Sequence, residues 1–141
     1  MKHYEAEADI EAPPDAVWEV LADVGAYPSW DSGVQSVDGV AAQGARIKVV
    51  SEAGRGRAFP VTVTELNPGR GMVWSGGMPL GLFRGVRTFT LEPLDGGSRT
   101  RFRMREEYSG PLLAPIWRTM PDLGPSFTQF AEGLKARVEG R

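Results

Sequence analysis

The sequence contains no cysteine and a single histidine, His3. Without cysteine there is no disulfide framework, no thiolate metal site and no cysteine nucleophile. With one histidine, the chain cannot assemble a Ser-His-Asp triad or a multi-histidine metal centre. No metal and no cofactor are therefore expected, and any acid–base chemistry falls to carboxylates, tyrosines or lysines. A charge excess is missing too. Sixteen Lys and Arg against 18 Asp and Glu leave a formal charge of −2, without the basic footprint of a nucleic-acid-binding protein. No apolar run approaches the roughly 18 residues of a membrane span. The opening stretch, MKHYEAEADIEA, lacks the apolar region of a signal peptide, so a cytoplasmic monomer or homodimer is expected.

What is present reads as one domain over 1–141. A chain of this length buries roughly two-thirds of its unfolded surface and needs no staple to fold. Residues 3–11 alternate: His3, Glu5, Glu7, Asp9 and Glu11 on one face, Tyr4, Ala6, Ala8 and Ile10 on the other. Period two with one polar face is a half-buried strand, and it makes His3 a surface residue. Pro13 and Pro14 stop it and suit a helix start. Val17, Val20, Leu21 and Val24 then give that helix one apolar face. Residues 25–31 read as a break with one short helical turn. Strands follow at 34–40, 45–51, 57–66, 72–75, 85–92 and 98–108. Asn67-Pro68-Gly69 and Asp95-Gly96-Gly97 are turn signals between them. The segment from Pro111 to Trp117 is apolar, and Pro121 and Pro125 break or restart a helix. Phe127, Phe130, Ala131, Leu134 and Val138 form a final helical stripe, closed by Gly140. The fold class is thus α+β, with six or seven antiparallel strands whose apolar face is covered by the C-terminal helix.

Several of these segments resemble the START-related helix-grip superfamily (SRPBCC), and within it the polyketide cyclase/dehydrase and lipid-transport group. The carrying residues are Ile10-Glu11-Ala12-Pro13 leading into Val17-Trp18, the turn Tyr27-Pro28-Ser29-Trp30, and Phe89-Thr90-Leu91-Glu92-Pro93 before Gly96-Gly97-Ser98-Arg99. Tyr108-Ser109-Gly110 and the closing Leu134-Lys135 helix complete the set. The resemblance implies a curved sheet around a long C-terminal helix. It also implies a cavity between them for lipids, polyketides or isoprenoids. The group contains carriers, aromatase/cyclases, hydroxylase subunits and chaperone activators. The Cys-His iron–sulfur ligands of the hydroxylase branch are absent here.

Side-chain parity selects candidate site residues. On 98–108, Phe102, Met104, Glu106 and Tyr108 share one face and Arg101, Arg103 and Arg105 the other. Three arginines belong in water, so the first set faces inward. On the preceding strand Phe83, Arg87, Phe89 and Leu91 face inward by the same reasoning. The hairpin turn places opposite residues at numbers summing to roughly 192 or 193, which sets Arg87 beside Glu106. The pair reads either as a ligand anchor in an apolar pocket or as a structural ion pair between neighbouring strands. An unpaired, buried Glu106 would be a candidate acid, with Arg87 and Tyr108 as its catalytic partners.

Trp30, Trp74, Phe83, Phe89, Phe102, Met104, Trp117 and Phe127 are candidate cavity-lining residues, against plain core packing. Trp30 and Trp117 stand out because they fall on expected turns. The stretch from Ser75 to Phe83 is glycine-punctuated yet apolar. It reads as a lid or a docking edge, or as an ordinary hairpin loop. Gly54-Arg55-Gly56-Arg57 looks like a phosphate-binding turn but lacks the strand–helix context of one, so it reads as a hairpin turn with solvated arginines. The leading functional expectation is binding or transport of a small hydrophobic molecule. The alternatives are a metal-free cyclase or dehydratase-like enzyme, and an interaction module docking through the apolar 76–83 loop.

Overall fold

A computed structural model describes residues 2–140. Seven strands form one antiparallel sheet in the order β1-β7-β6-β5-β4-β3-β2. They are β1 (Lys2–Ile10), β2 (Val34–Asp38), β3 (Arg46–Ser51), β4 (Ala58–Asn67), β5 (Gly71–Gly77), β6 (Arg84–Leu94) and β7 (Arg99–Ser109). Three helices accompany them: α1 (Pro14–Ala22), α2 (Leu113–Thr119) and α3 (Gly124–Val138). A 3-10 segment, Val24–Ser29, follows α1. This is the expected α+β arrangement, with Pro121 and Pro125 separating α2 from α3.

Alternation along each strand divides the sheet into a wet and a dry face. On the wet face, acids of β1 lie opposite arginines of β7: Glu5 opposite Arg105, Glu7 opposite Arg103, Asp9 opposite Arg101. The contacts are close, with Arg103 Nη2 to Glu7 at 2.6 Å and Arg105 Nη1 to Glu5 at 2.8 Å. Opposite charges at directly facing positions favour this register. Each exposed pair contributes only about 0.2–1 kcal/mol. On the dry face, Ala8, Ile10, Leu91 and Phe102 are buried.

α3 covers the dry face. Its stripe of Phe127, Phe130, Ala131 and Leu134 is buried, and it packs chiefly on β1. Pro125 suits its first turn, Lys135 and Arg137 suit its last, and Gly140 at φ 81° continues the chain in the left-handed region. Lys135 Nζ also donates to the Asp9 carbonyl at 2.5 Å, fastening the helix end to β1. The Phe130 ring lies 6.0 Å from Phe89 and 6.1 Å from Phe102, so these three close one half of the interior. Burying each such ring stabilises by roughly 1.5–3 kcal/mol.

The helix approaches the segment after the 3-10 turn so closely that only glycine fits at 133. A Cβ there would lie 1.9 Å from the Asp31 carbonyl oxygen. Helix propensity alone favours alanine over glycine by roughly 1 kcal/mol. The steric conflict reverses that sign. Gly133→Ala is expected to destabilise the fold by about 1–3 kcal/mol, measured by urea denaturation; a stabilised variant would refute the tight contact. The charged face yields a second expectation. The Arg101 guanidinium, hydrogen-bonded to Asp9 at 3.0 Å, holds that carboxyl below its usual range. A depressed folded pKa gives stability present at neutral pH and lost as pH falls through it. Asp9→Asn should therefore flatten the loss of stability below about pH 4, and an unchanged acid limb would contradict the pairing.

Candidate functional site

The part of the dry face that Phe89, Phe102 and Phe130 leave unfilled is a cavity of about 730 Å³. It runs between β2–β7 on one side and α2, α3 and the linker between them on the other. Its walls are mainly apolar, with Val34, Val49, Val61, Trp74 and Met104 from the sheet and Ile116, Leu123, Phe127 and Phe130 from the helical side. The exposed lining residues mark the mouth: Phe59 at 50% and Met78 at 43% exposure, together with Arg55 and Arg57.

The β6–β7 hairpin delivers the polar groups. Its register pairs Arg87 with Glu106, numbers that sum to 193 as the turn required. Arg87 Nε donates to Glu106 Oε1 at 2.6 Å, and both side chains line the cavity. They retain 26% and 17% side-chain exposure, so the pair is neither solvated nor sealed. The guanidinium carbon also lies 4.8 Å from the centre of the Phe127 ring, a geometry that favours the cation. Burial alone would lower the Arg87 pKa, but the Glu106 carboxylate first, with Tyr108 and Tyr27, offsets it and the net shift is upward. Glu106 is paired, so the condition for an isolated acid is not met.

Two tyrosines stand near the pair. Tyr108 lies two residues beyond Glu106 on the same face of β7. Its hydroxyl is buried and has no hydrogen-bond partner, with the Glu106 carboxylate near enough to act on it electrostatically. Burial first, then the Glu106 charge, push this phenol well up. Burial likewise pushes up Tyr27, whose hydroxyl donates to the Leu21 carbonyl. Both phenols stay protonated at neutral pH. The Trp74 Nε1 is a second buried cavity-side donor without a partner.

Of the residues singled out in the sequence, Trp74, Phe83, Arg87, Met104, Glu106, Tyr108 and Phe127 come together around the cavity. Four others do not. Phe89 and Phe102 are 1% and 0% exposed, packed between sheet and α3 where the interior is solid. Trp30 packs against Tyr27 and Phe130 and faces a separate small notch with Glu19 and Arg137. Trp117 is not on a turn but within α2, where it stacks on Tyr4 at 5.3 Å. Conversely, Tyr27, Val34, Phe59, Ile116 and Met120 line the cavity without having been singled out. The 78–83 stretch is a short hairpin connection around the 3-10 turn Pro79–Gly81. Met78 and Phe83 turn to the cavity, and Leu80 stands 96% exposed. Among the described residues no three acidic or histidine side chains come together to hold a metal. Among the same residues no helix is long and apolar enough to cross a membrane.

Comparisons with known proteins agree with this architecture. The family model described as polyketide cyclase / dehydrase and lipid transport matches residues 1–139. Among solved structures, protein MLL2253 from Mesorhizobium loti superposes with a TM-score of 0.74 at 21% identity, covering 99% of this chain and 98% of that one. A START superfamily protein from Mycobacterium smegmatis gives 0.73 at 17%, covering 98% and 97%. The ZhuI aromatase/cyclase from Streptomyces sp. R1128 gives 0.74 at 19%, covering 99% and 94%. At such identities the likeness is one of fold. No curated protein matches the sequence.

The ion pair supplies the test of the site's electrostatics. Arg87→Met leaves a half-buried carboxylate without its partner. The expected cost is about 1–3 kcal/mol, between the limits for exposed and buried pairs. Adding Glu106→Gln should recover part of that loss. Strictly additive effects in the double-mutant cycle, read by thermal denaturation, would rule out direct coupling.

Proposed function

Because the chain belongs to the polyketide cyclase/dehydrase and lipid-transport family, we propose that it binds a small, largely apolar molecule in the cavity between the sheet and helices α2 and α3. The observation that carries this reading is the cavity itself. About 730 Å³ of apolar-walled space lies beside a solidly packed core. That volume falls in the range typical of small-molecule sites, which combine apolar walls with a few fixed polar groups. Here the fixed groups are Arg87 and Glu106, held by neighbouring strands. A ligand carbonyl or hydroxyl reaching the pair finds a donor and an acceptor within one site. A ligand that binds the folded protein here and not the unfolded chain stabilises the fold.

A second reading is a cyclase or dehydratase-like reaction on a polyketide-type substrate. The observation in its favour is the Tyr108 hydroxyl, buried next to the ion pair and without a hydrogen-bond partner. An unmet donor beside a cavity is available to a substrate carbonyl. In this reading Tyr108 donates, Arg87 stabilises negative charge developing on the carbonyl oxygen, and Glu106 accepts a proton.

Native mass spectrometry of protein purified from its own host, followed by solvent extraction, tests the binding reading. An apolar molecule of defined mass should leave with the extract, and re-addition should raise the melting temperature. Protein that carries nothing and responds to no apolar probe would overturn it. Substrate turnover that disappears in Tyr108→Phe, with ligand affinity retained, would favour the enzymatic reading over simple carriage.

A further inference from the structure

The turn between β3 and β4 has no part in the packing described above, yet it borders the cavity. Residues 52–57 reverse the chain, held by the Gly54 amide donating to the Ser51 carbonyl (3.1 Å) and side chain (3.2 Å), and the Arg57 amide to the Gly54 carbonyl (3.2 Å). Arg55 sits at φ 56°, in the left-handed region that non-glycine residues seldom occupy, and Gly56 follows at φ 80°. This backbone carries the side chains of Arg55 and Arg57, both exposed and both lining the cavity mouth.

These two arginines differ from those of the β6–β7 hairpin. Arg101, Arg103 and Arg105 each hold an acid of β1, Arg99 holds Glu11 just beyond that strand, and Arg87 holds Glu106. The guanidinium groups of Arg55 and Arg57 make no hydrogen bond and no ion pair with any described residue. Glu52 lies on the same turn but is not part of the cavity lining. Glu106 is the one acid among the lining residues, and it is already paired. The cavity therefore has a neutralised pair on its sheet wall and two unmatched positive charges at its mouth.

We propose that Arg55 and Arg57 form an anion-recognition site at the mouth, selecting amphipathic ligands that enter tail first and leave a carboxylate or phosphate head at the turn. This rests on the binding function proposed above and adds the chemical class of the ligand. Arginine forks suit both anions, and Phe59 and Met78, exposed and also lining the cavity, offer apolar contact to the first carbons of a tail. The turn is no phosphate loop, since β4 rather than a helix follows it. Recognition comes from side chains.

Displacement of a neutral fluorescent apolar probe by dodecanoate, dodecyl phosphate and dodecan-1-ol tests the proposal. Wild-type protein should bind the two anions roughly ten-fold more tightly than the alcohol at low salt, and the margin should shrink at high ionic strength. In the double variant Arg55→Gln, Arg57→Gln the margin should vanish while dodecan-1-ol binds as before. Arg118→Gln, on the exposed surface of α2, should leave the margin intact. A phosphate bound more tightly than the carboxylate points to a phosphomonoester head; equal affinity points to a carboxylate as sufficient. Equal binding of alcohol and anions by the wild type would overturn the proposal and leave the cavity reading standing. A preference that survives the double variant would also overturn it. Failure of the probe and all three chains to bind would remove the cavity reading, and the anion site with it.

Discussion

Eleven facing residue pairs join β6 to β7, and their register decides what enters the interior. A slip of one residue would carry Arg101, Arg103 and Arg105 onto the dry face and turn Phe102, Met104 and Glu106 outward. Two independent features oppose that slip. The Asp95–Gly97 turn fixes the count of residues from one end, with Asp95 at φ 51° and Gly96 at φ 72°. The charge ladder on β1 opposes the slip from the other side of β7, because a shift of one residue would set each of these arginines opposite an apolar residue of β1. Exposed ion pairs add little to stability, but they discriminate among registers, since displacement by one residue breaks the whole ladder at once.

With that register set, the dry face divides along its length. Phe89, Leu91 and Phe102 lie toward the turn end of the hairpin, under Phe130, and fill the space completely. Arg87, Glu106, Tyr108 and Phe83 lie toward the open end, where α2 and the linker replace α3 as cover. A break at Pro121 and Pro125 is what allows this change. The connection between the helices, through Met120, Pro121 and Leu123, itself lines the cavity there. Phe127, on the first turn of α3, belongs to both regions, and its ring against Arg87 holds the guanidinium at the boundary.

The sequence displays one half of this division and hides the other. Parity gives the face of each strand residue, so an antiparallel sheet of six or seven strands, the inward turn of Arg87 and Glu106 and their pairing were legible from alternation and one turn. Parity does not give depth along the sheet. Phe89 shares its face with Arg87, and Phe102 with Met104, so nothing in the local pattern distinguishes a core ring from a cavity wall. That distinction depends on where α3 lies, which is a long-range matter. Trp117 was expected on a turn but lies within α2, a seven-residue helix that carries Pro115 in its first turn, where the missing N–H costs nothing. The Arg55–Arg57 turn was legible as a turn, but its neighbour, the cavity mouth, comes from strands and helices distant in sequence.

The two polar features of the cavity differ in a way that bears on ligand orientation. A paired charge has satisfied most of its electrostatic demand, so it favours a neutral dipole over an ion: an added anion at Arg87 must compete with a carboxylate held at 2.6 Å. An unpaired, hydrated guanidinium at the mouth gives up little to meet an anion, because neither group has to be stripped of all its water. Charge on a ligand is therefore better accommodated at the Arg55–Arg57 end than at the Arg87–Glu106 end. An amphipathic molecule resolves both demands in one orientation, with its ionic head among solvated arginines and its neutral oxygen functions, where it has them, near the ion pair.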